Sequence, residues 1–313
     1  LFGVIHPLAA QTSSFRTGEA RSSAVSNRRV EQGQRFRPDG AAVEEAREGS
    51  AAAPADLAPP SPGDPDLGQQ VILKRREKTT PFSAFANVTG FYTNNAALTN
   101  AAQVDDFFFV GEVGVSYQPR ITRDLVAEIT VREAAFRYAK FDELDFESLN
   151  LGAGLTYVVR PLGGIALTAR YNYNRLTDGS DHDEFFNNQT ITVGLLKSFE
   201  FSKAHYVYVG YSSIFGFSDP VAPERNEHGI FAGYHASLTR SISSELFYRV
   251  ALFDYHEGRE DWNQTLAISL KWDVTRWFNV AATASGGFNN SNRDVFDYDV
   301  FNTGLSLTGT LTF

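Results

Sequence analysis

The chain of 313 residues has no cysteine and no methionine. Without cysteine there is no thiolate nucleophile, no cysteine-ligated zinc and no disulfide. Nor does it contain a run of ~18 apolar residues, which excludes a membrane-crossing helix and leaves a closed β-barrel as its one route through a bilayer. Basic residues are in deficit: the net charge is −9 and the pI is near 5.2. Nucleic-acid binders generally carry a basic stripe, so that class is set aside.

A complete reading frame normally opens on Met. Residues 1–11 here read either as the remnant of a secretory signal that lacks its basic start or as a displaced start. Residues 12 to about 70 mix Arg, Glu, Ala, Ser, Gly and Pro without period, and five of the prolines fall within 54–65. Such a composition buries too little apolar surface to offset the entropy of ordering. We therefore expect 1–80 to be a disordered N-terminal segment, a periplasmic linker or a dispensable extension, and 81–313 to be the folded domain. The basic run 74–78 would then lie at the membrane surface or simply be solvated.

What the chain does have is Phe, Tyr and Gly, with 26, 13 and 25 copies. Its last stretch shows how they are arranged. From Phe301 the odd positions run Phe301, Thr303, Leu305, Leu307, Gly309, Leu311 and Phe313, while every even one from Asn302 to Thr312 is polar or glycine. Period-two alternation is a strand with one apolar and one polar face.

This ending resembles the C-terminal signature of bacterial outer-membrane β-barrels, in which alternating apolar residues precede a final Phe. Leu305, Leu307, Leu311 and Phe313 carry the resemblance, and Gly309 interrupts it. The resemblance implies that Leu307, Leu311 and Phe313 form the insertion signal read by the barrel assembly machinery.

The same texture runs back to Phe82. Twelve strands are expected near 82–92, 106–118, 124–137, 146–160, 164–175, 185–199, 204–217, 229–239, 243–255, 261–273, 277–289 and 298–313. Most reach ~10 residues, enough for a tilted membrane-spanning strand. Five short connections alternate with six mostly longer, more acidic ones, around 93–105, 138–145, 176–184, 218–228, 256–260 and 290–297. The expected fold is all-β: a transmembrane up-and-down antiparallel β-barrel of about 12 strands, with both ends of its wall on the periplasmic side. Across 82–313 the chain resembles Gram-negative outer-membrane barrels of the porin-like kind. That resemblance implies a lipid bilayer with lipopolysaccharide as surroundings, and small solutes as cargo.

The wet face supplies the expected lumen lining: Glu112, Glu128, Arg132, Arg170, Asn172, His235, Ser237, Arg249 and Lys271. Ionisable groups at membrane depth mark a water path or a paired network. The long connections supply an expected acidic outer rim, chiefly Asp142, Glu143, Asp178, Asp181, Asp183, Glu184, Glu260 and Asp297, with Asp106, Glu227 and Asp261 nearby. A rim of one sign favours cations over anions. We expect a channel for passive diffusion of small solutes with a preference for cations, and neither metal nor cofactor.

Two motifs invite other chemistry. His235-Ala-Ser237 resembles the catalytic pair of outer-membrane phospholipases and lipid A deacylases, but Leu238 stands where that pattern has Asn. Alternation also points the pair into the lumen, so no catalytic residue is assigned. Asp178–Glu184 offers several oxygens for a hard cation without the Ca²⁺-loop spacing, and reads as a solvated loop. The rival functions are a lipid hydrolase, which would need a serine, a histidine and an acid or amide together on the lipid face near the outer rim, and a non-conducting structural or partner-binding barrel.

Overall fold

The computed structural model describes residues 81–101 and 103–313; the expectations placed on 1–80 lie outside them. The strands are β1 (Phe82–Thr93), β2 (Asp106–Tyr117), β3 (Leu125–Tyr138), β4 (Phe146–Val159), β5 (Ile165–Asp178), β6 (Glu184–Ser202), β7 (His205–Asp219), β8 (Arg225–Ser237), β9 (Ile242–Tyr255), β10 (Glu260–Asp273), β11 (Phe278–Ser291) and β12 (Tyr298–Thr312). Each pairs antiparallel with its sequence neighbours, and β1 pairs with β12, so the sheet closes. Closure leaves no unpaired strand edge, which hydrocarbon would penalise heavily.

Alternation decides which face meets which solvent. On β8, Ile230 is 60% exposed and the next residue, Phe231, 4%. The outward positions form an apolar belt: Phe107, Phe109, Val113 and Val115 on β2, Leu266, Ile268 and Leu270 on β10, Leu305 and Leu307 on β12. Exposed aromatics border it at both ends, with Trp262 toward the long connections and Trp272, Trp277 and Tyr157 toward the short turns. An outward apolar belt between aromatic girdles is the surface a bilayer stabilises and water does not.

Strand number and order match the sequence reading, but three ends move. β5, β6 and β8 run three or four residues further than the apolar pattern does. Leu176 pairs with Ser148, and Arg225–His228 pair with Tyr255–Leu252. Backbone ladders continue through polar residues that show no alternation of hydropathy. Through β5 and β8 the loop-end connections shrink, to 94–105, 139–145, 179–183, 220–224, 256–259 and 292–297, whereas the extra residues of β6 shorten a turn-end connection. The contrast with the turn-end connections (118–124, 160–164, 203–204, 238–241 and 274–277) is weaker than the sequence suggests.

Candidate functional site in the barrel lumen

Inward glycines organise the lumen. Gly154 on β4 sits in register between Glu128 on β3 and Arg170 on β5. Lacking a side chain, it lets Arg170 lie across β4 and pair with Glu128, which also accepts a bond from Gln118 Nε2 at 3.2 Å. Gly114 lies in register between Phe85 and Arg132, whose guanidinium stands 5.6 Å from the Phe85 ring centroid. On the far wall Gly233 admits the Tyr208 ring, whose hydroxyl crosses β8 to donate to Glu245 at 2.5 Å. Each contact spans three strands because the middle one contributes no bulk, as in other small barrels filled by alternating large and small residues.

The turn-end half of the lumen holds a cavity of about 750 Å³. Of the expected lining, Glu112, Glu128, Arg132, Arg170, His235, Ser237 and Lys271 face it. Asn172 points inward above it, beside Gly152. Arg249 also points inward but is 3% exposed and belongs to the packed half. Acidic and basic groups are balanced around the cavity: Glu112, Glu128, Glu245 and Asp273 against Arg132, Arg170, Arg240 and Lys271. His235 and Ser237 meet in the lumen at 3.4 Å, with Tyr206 stacked on the imidazole at 4.8 Å.

The loop-end half is filled. Glu227 accepts from Arg225 Nη2 at 3.0 Å and from Arg249 Nη2 at 2.9 Å, and Arg225 Nη1 donates to the Tyr255 hydroxyl at 2.8 Å. Arg259 is held between two rings, 3.5 Å from the Tyr255 centroid and 3.9 Å from that of Phe296, and pairs with Asp261 at 3.2 Å. Asn289 donates to the other Asp261 oxygen at 3.0 Å. Against the opposite wall Phe91, Phe108, Phe136, Phe146 and Leu176 form one buried cluster, with Phe136 and Phe146 stacked at 4.2 Å. Buried charges are tolerated here because each faces an opposite charge or a ring. Alternation showed which residues point inward; it could not show that these side chains meet. The inward glycines were the available signal for that.

At the rim, Asp142 and Glu143 form a 3-10 turn. Asp178 accepts from the Ser180 amide at 2.9 Å, Asp181 from the Asp183 amide at 3.1 Å, Glu184 from Asn187 Nδ2 at 2.7 Å and Asp297 from the Ser291 amide at 2.6 Å. Glu260 begins β10 at the same end. Asp105 pairs with Lys140 at 2.9 Å; that hydrogen bond and charge hold the carboxyl below its ordinary value and the ammonium above its own. Three carboxylates expected beside the rim are turned inward instead. Asp106 is buried and accepts from the Phe107, Lys140 and Phe141 amides, and Glu227 and Asp261 belong to the packed half. All three occupy inward strand positions, where a carboxylate needs partners and not solvent.

No protein-family model matches the chain, and no curated protein matches it. Among solved structures, an outer membrane channel from Pseudomonas putida F1 is similar with a TM-score of 0.54 and 10% identity, over 77% of this chain and 100% of that one. The outer membrane channel DcaP of Acinetobacter baumannii gives 0.43 and 11%, over 74% and 96%. The β domain of the Bordetella autotransporter BrkA gives 0.44 and 10%, over 72% and 98%. The first likeness, with the closed twelve-strand antiparallel wall, gives this chain the fold of bacterial outer-membrane β-barrels.

Proposed function

We propose that the protein is a porin-like channel of the bacterial outer membrane, its short turns and both ends of its wall on the periplasmic side. It would pass small solutes, and it would be gated near its outer mouth. The observation that carries this reading is the polar cavity of about 750 Å³ inside a wall whose outward face is apolar. Ionisable side chains at membrane depth are costly unless they serve a water path or pair with one another; the cavity supports the first at the turn end, and the paired charges Glu227, Arg225 and Arg249 are the second at the loop end. The acidic rim supports a preference for cations, because the cavity charges balance and leave the mouth as the main source of field. Lipopolysaccharide would surround the loop end, and assembly would read the Leu307, Leu311 and Phe313 ending. The His235 and Ser237 pair faces solute, away from lipid, which supports a lumen without hydrolytic chemistry.

A second reading, a non-conducting barrel, is favoured by the packed loop-end half. Planar-bilayer recording separates the two. Discrete conductance with cation-favouring reversal potentials supports the gated channel. A bilayer that stays silent for the wild type and for Arg259→Ala alike leaves the non-conducting barrel.

A further inference from the structure

The outward face of β7 and β8 carries a group that no lumen function uses. Ser213 and His228 face each other in register, and Ser213 Oγ lies 2.6 Å from His228 Nδ1. The Tyr211 hydroxyl is 3.2 Å from both. Their neighbours along the strands, Ser212 and Ile214, are buried at 0% and 5%, so Tyr211 and Ser213 point away from the lumen. The surroundings are apolar: Val193 lies opposite Ser213 on β6, Leu252 opposite His228 on β9, and the Phe215 ring meets the imidazole edge-on at 6.1 Å.

The depth of the group matters as much as its chemistry. One outward row nearer the loop end, β8 and β9 present Asn226 opposite Asp254; one row nearer the turn end they present Ile230 opposite Val250. On β8 and β9 the change from polar to apolar therefore falls one row beyond His228, while on β7 the outward Phe215 and Phe217 carry the apolar surface two rows further toward the loop end. In a bilayer that border coincides with the linkage between headgroup and acyl chain, the level of a lipid's ester bonds. The placement rests on the membrane orientation proposed above.

We propose that Ser213 and His228, with the Tyr211 hydroxyl standing where the lipid-hydrolase pattern has an acid or amide, form an esterase site on the lipid face, acting on the fatty-acyl esters of an amphiphile in the surrounding leaflet. In the tautomer that carries its proton on Nε2, His228 Nδ1 accepts the Ser213 proton as Oγ bonds to the ester carbonyl carbon. The Tyr211 hydroxyl donates to the oxyanion. Collapse breaks the ester C–O bond, and the leaving alkoxide takes the proton from His228. A water molecule, deprotonated by His228, then releases the fatty acid and restores Ser213. One water is consumed and no redox partner is needed. Ile191, Val193 and Leu195, outward on β6, offer the acyl chain an apolar floor.

The test uses the full chain in detergent micelles with a long-chain alkyl fluorophosphonate, followed by peptide mass analysis. One adduct is expected on Ser213, absent in Ser213→Ala and formed about 100-fold more slowly in His228→Ala. Fatty-acid release is measured in two arms, one with phosphatidylethanolamine–phosphatidylglycerol vesicles and one with purified lipopolysaccharide; the arm that responds identifies the source of the ester. Tyr211→Phe should retain the adduct but release fatty acid about 100-fold more slowly. Heat-modifiable gel migration establishes that each variant is folded. Equal labelling of wild type and Ser213→Ala, or no release in either arm, overturns the proposal. Conductance recorded on the same preparations keeps this outcome separate from that of the channel reading.

Discussion

Phe313 lies almost parallel to Phe82, with ring centroids 5.9 Å apart and planes within 8°, and the two residues exchange backbone hydrogen bonds of 3.2 and 3.0 Å. The first and last strands thus meet at the turn end through both backbone and rings. Phe82 stacks on Tyr117 as well, at 4.4 Å, so the seam is one point in a short aromatic row.

Phe313→Ala removes that stack and keeps the Phe82–Tyr117 pair. Aromatic pairs contribute about 0.5–1.5 kcal/mol beyond burial, so a modest fall in the urea midpoint of the refolded barrel is expected. If Phe313 is also read during assembly, the yield of heat-modifiable barrel in cells should fall much further than the midpoint does. Parallel losses in both measurements would assign it a purely structural role.

Gly233→Ala tests the crossing of β8 by Tyr208. A Cβ at Gly233 would stand 2.2 Å from the Tyr208 ring, and moving that ring breaks its bond to Glu245. Overpacking of this kind costs about 1–3 kcal/mol. Gly111→Ala is the matched control, because a Cβ there meets nothing within 4 Å. Equal unfolding curves for the two variants would refute the crossing as a source of stability.

Arg259→Ala empties the space between Tyr255 and Phe296 and leaves Asp261, 1% exposed, without its ion pair. Breaking one partner of a buried pair costs about 3–5 kcal/mol. The expected outcome is a less stable barrel with larger single-channel conductance. Arg259→Ala with Asp261→Asn should recover stability and keep the larger conductance. Conductance unchanged in both variants would show that this cluster is not the gate.

The Asp105–Lys140 pair ties the β1–β2 connection to the β3–β4 connection. Asp105 is held below its ordinary value, so its contribution is present above the unfolded carboxylate value of about 4 and is lost as pH falls through the depressed one. Lys140 is held above its ordinary value, so its contribution is complete below about 10 and is lost as pH rises through the raised one. Protease protection of the β1–β2 connection should be flat between those limits and fall outside them. Lys140→Ala should lower the plateau and remove the alkaline fall.

Asp181→Asn with Asp183→Asn removes two rim charges within one connection. A shift of the reversal potential toward zero in a salt gradient is expected if the rim sets the sign of the preferred ion. An unchanged potential would move selectivity into the lumen.

Much of the fold is legible in the chain because a barrel has only nearest-neighbour pairings. Alternation from Phe82 to Phe313 identifies the strands, their order and the side of the wall each residue occupies. It places Glu128 and Arg170 inward, and Ile230 and Leu266 outward. The ends of β5, β6 and β8 are less legible, since a ladder running through Arg225, Asn226 and Glu227 leaves no apolar signature. Charged residues at the loop end are ambiguous for the same reason: Asp106 and Asp142 read alike in sequence, yet one sits on an inward strand position and the other in a turn.

The sequence by itself determined the class of this protein. Period two and strand length identify the strands, and the alternation of connections with the ending at Phe313 points to a closed membrane barrel, which satisfies every backbone group. Register and side-chain reach belonged to the tertiary structure. Only pairing in space brings Gly154 between Glu128 and Arg170, closes Arg259 between Tyr255 and Phe296, or sets Ser213 against His228 from fifteen positions away. The physical reason is that alternation fixes the direction of a side chain relative to its own strand. Which side chain it meets depends on the stagger of neighbouring strands and on where a glycine leaves room between them.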